Sequence, residues 1–204
     1  MSRFPPIARN EMSEAQERIQ GGVSDIFATL PTQLQWKNDA GLIFGPYSPL
    51  FYTEELSNPW FALAFAVTRQ SRFTSREKEL CILAVLSQRD APYLYYAHSI
   101  IATDIGFTEI QIQQAFQGDL PEELNEREHA IFKLSLVLTN LRQPMEDEPF
   151  KHFEAVLGRD GIAGIAHLVS GYVYVAILAN ISDSVVHGGK ETLLAPFKDS
   201  GSPS

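Results

Sequence analysis

The stretch Thr74–Gly106, TSREKELCILAVLSQRDAPYLYYAHSIIATDIG, decides the fold. It reads as two apolar helices joined by a polar turn around Arg89 and Asp90, and each helix carries one polar residue on an otherwise apolar face. Glu79 shares its face with Ile82, Leu83 and Leu86, while His98 shares its face with Ala91, Leu94, Ile101, Ala102 and Ile105. In an antiparallel hairpin rising about 1.5 Å per residue, Glu79, about eleven residues before the turn, and His98, about eight after it, reach similar heights. A carboxylate is seldom buried without a partner, so a glutamate on such a stripe demands one. The imidazole is one candidate. A core histidine bonded to a backbone carbonyl, with the glutamate held by a neighbouring subunit's arginine, is the structural alternative.

Working outward, Thr74 with Glu77 three residues on forms a capping box that starts the first of these helices. Asp90 is the expected cap of the second and Gly106 its stop. Thr108 with Gln111 opens a short helix that Gly118 ends, and Asn125 with Glu128 opens another, to about Leu141, with the stripe Ile131, Leu134, Leu138 and Leu141. A helix from near Glu148 to Leu157 stops at Gly158, and a long apolar helix follows from about Gly161 to Ser182. Upstream, a helix from about Glu11 carries Ile19, Val23, Ile26 and Phe27 and is expected to split or kink at Gly21-Gly22. An irregular, aromatic-rich stretch with Phe44, Tyr47, Phe51 and Tyr52 comes next, and then a helix capped by Ser57, with Pro59 in its first turn, runs to about Gln70. No segment alternates with the period of a strand. The expected fold is all-α, a single-domain orthogonal bundle of about seven or eight helices: an extended arm over 1–10, the domain over 11–190 and a flexible tail over 191–204.

Composition narrows the function. The chain has 204 residues, 45% apolar and 20% charged, enough for one sizeable core. Sixteen basic against 25 acidic residues give a net charge of -9, which argues against nucleic acid and anionic membrane surfaces as partners. Cys81 is the only cysteine, so no internal disulfide or cysteine-rich metal site is expected. No secretory leader is legible, and the expected location is the cytoplasm. No charged residue lies between Asp160 and Asp183, about a bilayer's span, but glycines, His167, Ser170, Tyr172 and Tyr174 within that run, and aspartates rather than basic anchors at its ends, favour a core or subunit-interface helix. Phosphate loops, GxSxG and HExxH are absent, and no two histidines stand three or four apart on one helix, so no metal and no cofactor are expected.

The segments REKELCILAV, YLYYAHSIIATDIGFTEIQI, NEREHAIFKLSLVLT and AHLVSGYVYVAILANI, in this order and spacing, resemble the carboxymuconolactone decarboxylase and alkyl-hydroperoxidase D-like superfamily. GPYSPLFYTEEL is similar to the segment preceding the core in the decarboxylase-like branch, especially in fungal members. The similarity covers roughly residues 42 to 186. It implies an all-helical fold, homo-oligomers (dimer, trimer or hexamer) and a pocket near the central hairpin. In the peroxidase branch a Cys-x-x-Cys precedes a histidine, and a glutamate lies nineteen positions before that histidine. His98 and Glu79 match those two, whereas the cysteine positions fall on Ala91 and Leu94. A thiol peroxidase needs a thiolate and a resolving thiol, so that activity is not expected. Decarboxylase-like relatives commonly have a polar residue where Leu94 stands.

The expectation is therefore a cofactor-free enzyme that decarboxylates, isomerises or cyclises a small cyclic acid or lactone, in secondary metabolism, with His98 as general acid/base and Glu79 orienting it. Tyr52, Trp60, Leu94, Tyr95, His167 and Tyr174 are the candidates to line the substrate cavity, each with plain packing as its alternative role. His129, His152 and His187 read as surface residues. The alternative function is a catalytically silent oligomeric protein that binds a hydrophobic ligand or partner in the same cavity.

Overall fold

Ser13, Thr74, Thr108 and Asn125 start four helices by one device: the side chain accepts from the backbone N–H three residues on, and the Gln or Glu there reaches back to the cap's own N–H. A computed structural model describes residues 3–37, 41, 43 and 45–182. Its helices are α1 (Glu14–Phe27), α2 (Glu54–Thr68), α3 (Ser75–Ser87), α4 (Pro92–Asp104), α5 (Glu109–Gln117), α6 (Glu126–Thr139) and α7 (Asp147–Ile181), with 3-10 turns at Arg9–Glu11 and Gly45–Tyr52. Helix α7 is broken at Gly158, whose φ of 71° and ψ of 165° leave the helical region, so it comprises two helical segments. Among the described residues the sole extended pairing is an isolated bridge between Lys37 and Ile43. The fold is all-α. Phe44, His187 and the expected tail lie outside the described residues.

Helix α3 is the axis. Every residue from Leu80 to Leu86 is buried, because this part of the helix is apolar all round and its faces feed two cores. Leu80, Leu83 and Leu86 pack with α4 and α5 residues such as Ala97, Ile112 and Phe116. Cys81 and Val85 turn the other way, to Ile131 and Leu134 of α6 and Ile165 and Leu168 of α7. A third cluster joins α1, the second 3-10 turn and α2 through Ile19, Val23, Leu50 and Phe61. Truncating any one of the fully buried leucines of α3 to alanine costs about 2–5 kcal/mol.

Several expectations are corrected. Gly21-Gly22 neither splits nor kinks α1; a Cβ on Gly22 would sit 3.0 Å from the Phe61 ring, so the glycine admits a close helix contact. Ser57 is no cap: it lies inside α2, which starts at Glu54, and its hydroxyl donates to the carbonyls of Leu50 (3.0 Å) and Thr53 (3.2 Å). Asp90 does not cap α4, which begins at Pro92 behind Ala91 with no side-chain cap. Helix α6 ends at Thr139, leaving Leu141 exposed.

Helix α7 is long and apolar enough to cross a membrane by length and composition alone. Here one side of it belongs to the core, through Ile165, Leu168, Ala176 and Ala179. The other side is exposed at Ala163, His167, Ser170, Tyr174, Ile177 and Ile181, spaced alternately four and three residues apart.

Candidate active site

The hairpin of α3 and α4 brings the two polar residues of the central stretch into contact. The Nδ1 of His98 lies 2.7 Å from Oε1 of Glu79, and both side chains are all but sealed from solvent, at 7% and 4% exposed. With Glu79 as a carboxylate, its oxygen accepts and the proton of this bond sits on Nδ1. That fixes the tautomer and leaves Nε2, which has no hydrogen-bond partner among the described residues, to take or give a proton. The Tyr172 ring from α7 stands edge-on to the imidazole, with centroids 5.2 Å apart.

Six of the tyrosine hydroxyls divide into two kinds. Tyr52, Tyr93, Tyr95 and Tyr96 donate to the backbone carbonyls of Pro5, Gln35, Leu86 and Gln33 at 2.6–3.2 Å. Tyr47 and Tyr172 donate to nothing among the described residues. Protein packed around their hydroxyls pushes both phenols well above the usual range, and the Glu79 carboxylate and the Tyr47 phenol add to this at Tyr172. Both side chains therefore remain neutral donors at any ordinary pH. No enclosed side-chain oxygen or nitrogen among the described residues lacks a partner, so these two hydroxyls and His98 Nε2 each keep some contact with solvent.

Burial pushes the Cys81 thiol up to about 12. As a protonated, fully buried group it is a poor nucleophile. Among the described residues no three His, Cys, Asp or Glu side chains converge as a metal site would require.

The proposed lining residues are dispersed. Leu94 is buried one turn before His98 on the same face of α4. Trp60 and Tyr174 stack on each other at 6.3 Å, and Trp60 meets Tyr47 edge-on at 6.0 Å, so these aromatics continue from the Tyr47 side of the site towards the surface. Tyr95 commits its hydroxyl to Leu86 and its ring to Phe116, 4.8 Å away. Tyr52 is half exposed and bound to the N-terminal arm through Pro5 and Phe4. His167 stands on the exposed side of α7. Tyr47 was legible only as an aromatic in irregular chain and Tyr172 only as one apolar-helix residue among many; the spacing of Tyr172 five beyond His167 gives no hint of His98.

No known family profile matches the chain, and no curated protein matches it. Among solved structures, the chain is similar to the crystal structure of an alkylhydroperoxidase AhpD core, an uncharacterized peroxidase-related protein from Ralstonia eutropha, with a TM-score of 0.72 and 16% identity over 95% of each chain. The fold is AhpD-like. At that identity the likeness carries the architecture and no activity.

Proposed function

We propose that the protein is a cofactor-independent acid/base enzyme of the carboxymuconolactone decarboxylase-like type, acting on a small cyclic acid or lactone. The observation that supports this reading is the buried 2.7 Å contact between Glu79 and His98, which occupies Nδ1 and leaves Nε2 without a protein partner among the described residues. In isomerisation, Nε2 takes a proton from carbon next to a carbonyl; the C–H electron pair becomes the C=C bond of an enolate, and the imidazolium, whose proton exchanges with solvent, returns a proton at another carbon. In decarboxylation, the C–C electron pair enters the conjugated ring as carbon dioxide leaves, and protonated His98 delivers the proton that fills the vacated carbon. Glu79 orients the ring and holds Nδ1–H in both.

The test is incubation with 4-carboxymuconolactone and a panel of cyclic keto acids and lactones in deuterated water, reading carbon dioxide and deuterium incorporation. His98→Gln is expected to lose at least about a hundredfold in rate; near-normal turnover contradicts the reading. The alternative, a silent hydrophobic-ligand binder, predicts affinity without product and indifference to Glu79→Gln.

The proposal includes self-association. The uncharged stripe on α7, with Tyr174 41%, Ile177 56% and Ile181 40% exposed, has the alternating spacing of a helix–helix seam, and Leu63 of α2 adds to the exposed apolar surface at 60%. A second copy of the chain is the expected occupant. Sedimentation of Ile177→Glu is expected to show smaller particles than the parent protein; a monomeric parent contradicts it.

A further inference from the structure

Four of the seven tyrosines tie their hydroxyls to the backbone, and Tyr174 is at the surface. Tyr47 and Tyr172 differ from all of these. They are partly buried, their hydroxyls bond to no protein atom among the described residues, and those hydroxyls are not enclosed. A hydroxyl that bonds to no protein atom adds nothing to the fold, so a protein that needed only ring volume at these positions is served as well by phenylalanine. Tyr172 rests against the His98 imidazole, and the 3-10 turn carrying Tyr47 packs on α7, which carries Tyr172. Trp60 supplies further flat apolar surface beside Tyr47.

We infer that Tyr172 and Tyr47 form a two-phenol oxyanion site, and that the ligand is an enolisable carbonyl compound with a planar conjugated or aromatic body. Its carbonyl oxygen accepts from the phenols, its body lies along the aromatic surface, and the carbon that loses or gains a proton faces His98 Nε2; the assignment rests on the reading of His98 as the proton-transfer group. Deprotonation moves the C–H electron pair into the carbonyl, and the charge that collects on oxygen is met by two neutral donors. Because burial holds both phenols protonated, neither competes with His98 as base nor carries a charge that would repel the enolate. The specificity that follows is for substrates whose carbonyl is flanked by a conjugated ring, over saturated acids of equal size.

4-Nitrophenol is the probe, because its anion imitates an enolate and absorbs differently from the neutral phenol. Titrated into the intact protein near its own ionisation midpoint, it is expected to bind as the anion. Tyr172→Phe and Tyr47→Phe are each expected to weaken it about tenfold or more, the worth of one hydrogen bond to a charged oxygen, and to shift the bound probe toward its neutral spectrum, with circular dichroism unchanged. Absence of binding to the parent protein, or affinities of both variants within about twofold of it, overturns the proposal. His98→Gln separates the two readings. If it abolishes turnover while both phenylalanine variants bind the probe normally, the oxyanion site is wrong and the acid/base pair stands. If it leaves turnover intact while the phenylalanine variants lose the probe, the pair is wrong and the phenols form an anion site without proton transfer.

Discussion

Glu77 and Glu79 stand two residues apart on α3, both buried, and they do different things. Glu77 has all its bonding spent on architecture: Oε2 accepts from the Thr74 backbone N–H at 2.8 Å and Oε1 from Arg127 Nε at 2.7 Å. The arrangement is reciprocal, since Glu128 caps α6 through the Asn125 N–H at 3.1 Å and takes Arg76 Nε at 2.9 Å. Each helix start thus lends its arginine to the other's capping glutamate, and the guanidinium of Arg76 also covers the Phe107 ring at 3.9 Å. Glu79, by contrast, meets an imidazole whose other nitrogen is left open. A buried carboxylate is thus no signature of a site; the partner decides, and only a partner that can exchange a proton while staying in place makes chemistry available.

Between the two glutamates, the larger expected effect on folding lies at Glu77. Glu77→Ala removes the glutamate half of the capping box and takes from Arg127 its carboxylate, leaving it the Arg72 carbonyl, at a cost of about 3 kcal/mol, whereas Glu77→Gln keeps the cap and loses roughly half as much. Urea unfolding checks both, and the folded fraction of either variant is expected to turn over substrate at the parent rate. If Glu77→Ala unfolds at the parent midpoint, or abolishes activity while folded, the division between the two glutamates fails. Smaller effects are expected among the tyrosines. Tyr95→Phe strips a hydroxyl bonded to Leu86 at 2.6 Å and is expected to cost about 1 kcal/mol. Tyr172→Phe removes a hydroxyl with no protein partner and is expected to leave stability unchanged or slightly raised. Thermal melts of the two side by side sharpen the contrast; equal losses would show that Tyr172 has a structural bond.

The helix boundaries were largely legible because their causes are local. Thr74 with Glu77, Thr108 with Gln111 and Asn125 with Glu128 announce helix starts within four residues, and Gly118 and Gly158 announce ends through conformations with φ of 81° and 71°. The contact between Glu79 and His98 was legible because an antiparallel hairpin converts sequence distance into height. Ser57 misled because its hydroxyl serves Leu50, seven residues back in a 3-10 turn, rather than a helix N-terminus. Gly22 misled because what it accommodates, the Phe61 ring, comes from another helix. The Tyr47 and Tyr172 hydroxyls stand out only once every other tyrosine's partner is known, which is a property of the tertiary structure and of no spacing.

The pairing of Glu79 with His98 as one acid/base unit is tested most directly by the rates of Glu79→Gln, His98→Gln and the double variant on one substrate, each checked for folding by circular dichroism. Each single change is expected to cost about a hundredfold or more, and the double variant to be no slower than His98→Gln alone, because partners in one proton-transfer unit do not lose activity additively. Near-normal turnover by His98→Gln, or losses that multiply in the double variant, would contradict it.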